Sequence, residues 1–220
     1  MSLTPSISRR ALKHTRAIQI DAFVRDDGLW EIDAHVTDTK PFDLSLPAGN
    51  LPAGQPLHSL WLRLTLDRQF VIVGVEANSE AVPYRGYCNT IEPDYKKLIG
   101  LSLVKGFRHA LRENIGGALG CTHLTELAQI LPTAALQAFG GEINRATDQK
   151  PPQLDRCHAL RSEGAVVAKY YPKWAISPPA GTDTGSDLES PHLEPLHLEP
   201  SHSEPSHSEP YLSNQAISFN

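Results

Sequence analysis

The stretch Phe23-Val24-Arg25-Asp26-Asp27-Gly28-Leu29-Trp30-Glu31-Ile32-Asp33-Ala34-His35-Val36 decides the fold. Asp26-Asp27-Gly28 is a turn signal: glycine takes the positive φ of a tight hairpin, and aspartate bonds back to its own backbone. After the turn, Trp30, Ile32, Ala34 and Val36 alternate with Glu31, Asp33, His35 and Thr37. That is the period of a strand with one buried face. Before the turn, Ile18, Ile20, Ala22 and Val24 alternate with Gln19, Asp21 and Phe23. The two runs make a hairpin, and Asp38-Thr39-Lys40-Pro41 ends it.

The pattern then repeats. Residues 43–58 hold Pro47, Gly49, Asn50, Pro52, Gly54 and Pro56 and read as a long loop. Leu60, Leu62, Leu64 and Leu66 alternate with Trp61, Arg63 and Thr65, and a turn at Asp67-Arg68-Gln69 leads into Phe70–Val75. The expectation is an antiparallel sheet of about four strands from two hairpins, with one covered face. Asp94 caps an expected helix from Tyr95 to Asn114, striped by Leu98, Ile99, Leu103, Phe107, Ala110 and Leu111 and closed by Gly116. A second helix is expected from Thr122 to about Phe139, with Pro132 kinking or splitting it. Strands first and helices second give an α+β class, the sheet packed against two C-terminal helices.

The expected boundaries are a core over 9–146, a loosely patterned extension over 147–176 and a disordered tail over 177–220. In the extension, Ala165-Val166-Val167-Ala168 and Tyr170-Tyr171 suggest a short strand, and Trp174 marks the last packed position. In the tail, a His-x-Glu-Pro unit recurs every five residues, at His192, His197, His202 and His207. Proline at that spacing forbids a regular helix, and few large apolar groups remain to bury. Truncation after Ser177 is therefore expected to leave the denaturant midpoint nearly unchanged. A large loss of stability in that truncated chain would show that the repeat packs on the core.

Composition narrows the class. The chain has 220 residues, 40% of them hydrophobic, enough for one good core. A formal net charge of −5 argues against a broad nucleic-acid footprint. No run approaches the length of a membrane-spanning helix, so no membrane association is expected. Residues 1–16 mix Ser, Arg, Lys and His without an apolar signal core. Cys88, Cys121 and Cys157 form no even framework and no CxxC pair, which suits free thiols in a reducing cytoplasm.

Chemistry concentrates at Gly116-Gly117-Ala118-Leu119-Gly120-Cys121-Thr122-His123-Leu124-Thr125-Glu126-Leu127, where a glycine-rich turn enters a helix. The first backbone N–H groups of a helix lack partners, and an anion such as a thiolate is stabilised there. Thr122 suits the N-cap, and His123 and Glu126 share a helix face. As an enzyme site, Cys121 is the nucleophile or a ligand and His123 the acid/base. Glu126 stands beside them, and Arg63 and Lys40 orient an acidic small molecule. As a non-catalytic metal site, Cys121, His123, Glu126 and Cys88 hold a divalent ion such as zinc. Asp33 and His35, with Glu31 on the same strand face, form a further metal-ligand candidate, whose bland counterpart is an ordinary solvent face. Arg63 also suits a cross-strand pair with Asp33. His58, where the proline-rich loop enters a strand, sits at a common place for function, its bland counterpart being a solvated loop histidine; His14 and Arg16, ahead of the first strand, bind an anion or simply flank that strand. A third reading is an interaction protein tethered by its tail. Composition leaves oligomeric state open.

Several of these pieces occur together in one family. They are Arg10-x-x-x-His14-x-Arg16, Phe23-x-Arg25-Asp26-Asp27-Gly28-Leu29-Trp30-Glu31-Ile32, Asp38-Thr39-Lys40, Leu57-His58, Leu62-Arg63-Leu64-Thr65-x-Asp67 and Gly120-Cys121-Thr122-His123-Leu124-Thr125-Glu126-Leu127. On them the chain resembles the uncharacterised domain-of-unknown-function family 2889 from roughly Arg9 to Phe139. The resemblance implies a small bacterial protein and brings no activity, cofactor or partner with it.

Overall fold

The alternation around Asp26-Asp27-Gly28 closes a hairpin as its spacing demands. In the computed structural model, which describes residues 3–146 and 150–176, strand β1 (Thr15–Val24) pairs antiparallel with β2 (Trp30–Thr39). Gly28 sits at φ 85°, and the Arg25 and Leu29 backbones close the turn at 2.9 Å. The second hairpin joins β5 (Pro56–Leu66) to β6 (Ile72–Ala81). Its turn is held by Asp67, whose Oδ1 accepts from the N–H groups of Gln69 and Val71. The hairpins lie side by side in one antiparallel sheet of order β1-β2-β5-β6.

The expected long loop contains a small hairpin of its own, β3 (Leu44–Leu46) with β4 (Gly49–Leu51). Three-residue strands with two prolines nearby carry too little alternation to register as a pattern.

On the covered face, Trp30, Ile32, Ala34 and Val36 of β2 and Leu60, Leu62, Leu64 and Leu66 of β5 are buried. Helices α1 (Phe107–Ile115) and α2 (Thr122–Ala146) complete that core with Phe107, Leu111, Ile115, Leu124, Leu127, Leu131, Ala135 and Phe139. The class is α+β, as expected. Strand β1 is different. It is almost wholly exposed, with Ile18 and Val24 open to solvent, because it forms the sheet edge while the helices contact β2 and β5 more.

The single expected helix over Tyr95–Asn114 is corrected to three pieces. Cys88–Leu98 is a 3-10 segment, Ile99–Leu103 is a turn in which Ser102 bridges Val71 just ahead of β6, and α1 starts at Phe107. Gly100 at φ 90° and Gly106 at φ 66° interrupt the helical path. The intervening backbone instead bonds to the start of β6: Ile72 donates to Leu101 at 2.9 Å, and Leu103 donates to Phe70 at 2.9 Å. Helix α2 runs unsplit through Pro132 and past Gly140-Gly141 to Ala146.

The short strand expected near Ala165 is corrected to a helix, α3 (Ala165–Tyr170). Four apolar residues fit either period, and this run pairs with neither sheet edge, so its backbone groups are satisfied within a helical turn. Only Val167 of its residues is buried. The repeat tail over 177–220 lies outside the described residues. Among the described residues no helix is long and apolar enough to cross a membrane.

Candidate functional site

The covered face changes character at one end of the sheet. Successive rows across the strands read Ala34–Leu62, then Val36–Leu60, then Asp38–His58. Arg16 lies opposite Asp38 on the other side, so Arg16, Asp38 and His58 form one lateral row on the face that is apolar elsewhere. Asp38 continues the even-numbered alternation of β2 that begins at Trp30, and it is 1% exposed. Burying a carboxylate without partners costs several kcal/mol or more, so its partners define the site.

Asp38 has partners from four directions. Arg16 donates to both its oxygens, Nε to Oδ1 and Nη2 to Oδ2, each at 2.8 Å. His14 Nε2 lies 3.0 Å from Oδ1. His58 Nδ1 donates to Oδ2 at 3.1 Å. His123, in the first turn of α2, brings Nε2 to 3.6 Å from the same Oδ2. The rings of His58 and His123 lie 3.9 Å apart at a 34° tilt. Arg16 Nη1 also donates to Glu126, one helical turn beyond Thr122.

Burial alone would raise the pKa of Asp38. The two hydrogen bonds and the charge of Arg16, with the nearby His58 and His14, outweigh it and hold the carboxyl at about 2. Both inner imidazoles move the other way. Burial, then the neighbouring His123, pushes His58 below its ordinary value; burial, then Arg16, does the same to His123. At neutral pH the Asp38 carboxylate and the Arg16 guanidinium therefore stand beside two neutral inner imidazoles, His58 and His123, with electron pairs to offer.

The start of α2 is fixed from behind. Tyr95, fully buried, donates its hydroxyl to the Cys121 carbonyl at 2.9 Å and accepts from the Cys121 N–H at 3.1 Å. It also meets Thr125 Oγ1 at 3.0 Å. Gly120 packs against Ile115, whose carbonyl oxygen would lie 2.3 Å from any Cβ there, so only glycine fits. These contacts set where Cys121 and His123 stand. Tyr95→Phe is expected to destabilise the fold by roughly 1–3 kcal/mol by leaving the Cys121 N–H unsatisfied, while the Cys121 carbonyl keeps the Thr125 N–H at 2.9 Å; urea unfolding at neutral pH measures it. Burial raises the Tyr95 pKa to about 12 from an ordinary 10. The unfolded chain therefore ionises first. Tyr95 contributes full stability below pH 10 and loses it as pH rises towards 12. Urea midpoints across that window are expected to fall more steeply for the native chain than for Tyr95→Phe.

The structure sorts the sequence candidates by sheet face. Cys121 and His123 are adjacent, Sγ lying 3.9 Å from Nδ1, and Glu126 joins them through Arg16. Asp33, His35 and Arg63 lie on the opposite face of the sheet from Asp38 and do not meet this cluster. Arg63 clasps Asp33 with Nε and Nη2 at 2.7 and 2.8 Å, as its cross-strand register allows. His35 stacks on Trp61 and shares a hydrogen bond with Ser59. Cys88 begins the 3-10 segment and is not among the described metal-ligand groups that converge on Asp38. Lys40 lies just past β2, where its carbonyl accepts from Gly54. The sequence marks His14 with Arg16, and His58 apart from them, but does not mark Asp38 as their hub. The signal was parity: Asp38 is four two-residue steps from Trp30, so a charged residue occupies a buried position. A cleft of about 600 Å³ between α1, α2 and the segment around Arg156 contains none of these residues.

Fold and cluster define a small α+β protein with a polar site at the end of one sheet face. A family model described as "Protein of unknown function (DUF2889)" matches residues 14–137, more than half of the chain, and the chain belongs to that family. The matched span opens on His14 and includes Arg16, Asp38, His58, Cys121, His123 and Glu126. No curated protein and no solved structure matches the chain.

Proposed function

We propose that the protein is an enzyme acting on a small carboxylate-bearing molecule at the Asp38 cluster. The observation that carries this reading is the excess of partners around one buried carboxylate. Arg16 alone satisfies Asp38 in charge and geometry, yet three imidazoles gather on it as well. Two of those imidazoles are half-buried at a desolvation cost that holding the sheet together does not require. A site that places electron-pair donors beside a guanidinium and leaves them open to solvent fits chemistry better than architecture.

The carboxylate preference follows from Arg16 and Glu126. Nη1 of Arg16 is turned away from Asp38 and occupied by the Glu126 carboxylate, about half of which is exposed. An exposed ion pair of this kind contributes little to stability, so a substrate carboxylate can exchange with it. The bound molecule would then lie against His58 and His123, whose lone pairs take up a proton or an electrophile, with the Cys121 thiol alongside.

A thermal-shift screen of small mono- and dicarboxylates against the as-purified full chain tests this. At least one acid is expected to raise the melting temperature, and to bind more tightly to Glu126→Gln, where Arg16 is released. A hit in the native chain that is unaffected by Glu126→Gln, or no hit in either chain, would overturn the reading.

A further inference from the structure

We infer that Asp38, His58 and His123 form a divalent-metal site of the catalytic type, taking zinc or another first-row ion on one carboxylate oxygen and two imidazole nitrogens. The inference rests on the location of the site proposed above and not on its substrate.

Geometry carries it. One ligand atom from each of the three residues lies within 4.8 Å of the others. Zinc bonds of about 2.0–2.2 Å in a tetrahedron set ligand atoms roughly 3.3–3.6 Å apart. Asp38 Oδ2 is 3.1 Å from His58 Nδ1 and 3.6 Å from His123 Nε2. An ion placed between them replaces the proton now shared by His58 and Asp38.

The acceptor count of Asp38 agrees. An ionised carboxylate offers about four lone-pair positions. Arg16 uses one on each oxygen and His14 a second on Oδ1. One position remains, on Oδ2, and both His58 and His123 point at it. The Arg16 pair and the His14 contact then orient the ligating carboxylate, as outer partners of metal ligands commonly do.

His123 has its own outer partner. Nε2 faces Asp38 while Nδ1 faces Cys121 Sγ at 3.9 Å. The thiol thus lies behind the imidazole, where it positions the ring, and not among the ligands. The elements that bring the three residues together are rigid: two paired strands and a helix start clamped by Tyr95. With three protein ligands a tetrahedral ion keeps one position open. His58 and His123 remain partly exposed, at 15% and 23% of their side chains, so that position is accessible to solvent. The donor set suits zinc, iron, cobalt or nickel better than calcium or magnesium.

The test must separate this site from the imidazoles of the repeat, His192, His197, His202 and His207. Tag-free full-length chain is titrated with Zn²⁺ against a chromophoric chelator, and with Co²⁺ while its visible absorption is followed. The native chain, and a variant with those four histidines changed to Ala, are both expected to hold one tight Zn²⁺ and to give the intense Co²⁺ bands of a four-coordinate site. His58→Asn and His123→Asn are each expected to weaken Zn²⁺ by at least about 100-fold, beyond the usual effect of outer partners. Both imidazoles are partly exposed, so these variants keep the fold, checked by circular dichroism, even where Asp38→Asn does not. Zn²⁺ affinity that falls only when the repeat histidines are changed overturns the inference. So does affinity unchanged in both His→Asn variants, or no uptake by the native chain. None of those results bears on the carboxylate screen, which uses no added metal.

Discussion

Trp30→Ala is expected to destabilise the protein by roughly 3–5 kcal/mol, the range for truncating a large aromatic in a core. Trp30 is completely buried. Its ring stacks on Phe139 of α2 at 4.4 Å and 4°, and meets Phe70 of the β5–β6 turn at 5.2 Å. The Arg68 guanidinium lies 5.0 Å from the ring centre. One side chain thereby ties the first hairpin to the second and to the long helix, so its loss leaves a cavity at a three-way junction that cannot easily collapse. The indole Nε1 is buried without a hydrogen-bond partner among the described residues. That penalises the native state, so Trp30→Phe, which keeps an aromatic body and removes the orphan N–H, is expected to cost less than half as much. Urea unfolding of the two variants at pH 7 measures both values. A neutral Trp30→Ala would mean that the β2 faces are assigned the wrong way round.

The sheet was legible because its signals are local. The Asp26-Asp27-Gly28 turn, the alternation from Trp30 and the Leu60–Leu66 run each specify strand and face within ten residues, and a one-residue slip would bury Glu31 and Asp33. The helical region was less so. Of the expected 3.6-residue stripe, Leu98, Leu103, Phe107 and Leu111 are buried, whereas Ile99 is 47% exposed and Ala110 is partly exposed. The stripe does not reveal that Gly100 and Gly106 turn the chain aside to bond with β6, a tertiary choice made by an edge that it does not encode. The site was legible in parts for the same reason. Cys121 and His123 announce themselves at a helix start, two residues apart, and their approach at 3.9 Å is local in sequence. Arg16, Asp38 and His58 meet only through strand pairing, at separations of 22 and 20 residues. Reading them as one row required the register of both hairpins. Asp33, His35 and Arg63 lie one residue out of phase with that row and so face away from it.

Asp38→Ala is expected to be the costliest substitution within the cluster, at roughly 3–5 kcal/mol, the range for removing one member of a buried ion pair. Its carboxylate is 2% exposed while its partners are more open, Arg16 at 32% and His14 at 37%. Removing it leaves Arg16 held only by the exposed Glu126 and strips both inner imidazoles of their shared acceptor. Because the guanidinium can still reach water, the loss should fall nearer the lower end of that range. A second substitution sharpens the argument. Arg16→Met in the Asp38→Ala background removes the uncompensated charge and keeps apolar contact along the strand. The double variant is therefore expected to recover part of the loss, with a coupling of about 1–3 kcal/mol in a double-mutant cycle. The four proteins are unfolded in urea at pH 7 with a chelator present, so that no bound ion contributes to the native state. Additive costs, or an Asp38→Ala chain within about 0.5 kcal/mol of the native one, would show that Asp38 does not organise the end of the sheet. The arrangement of His58 and His123 would then owe nothing to it.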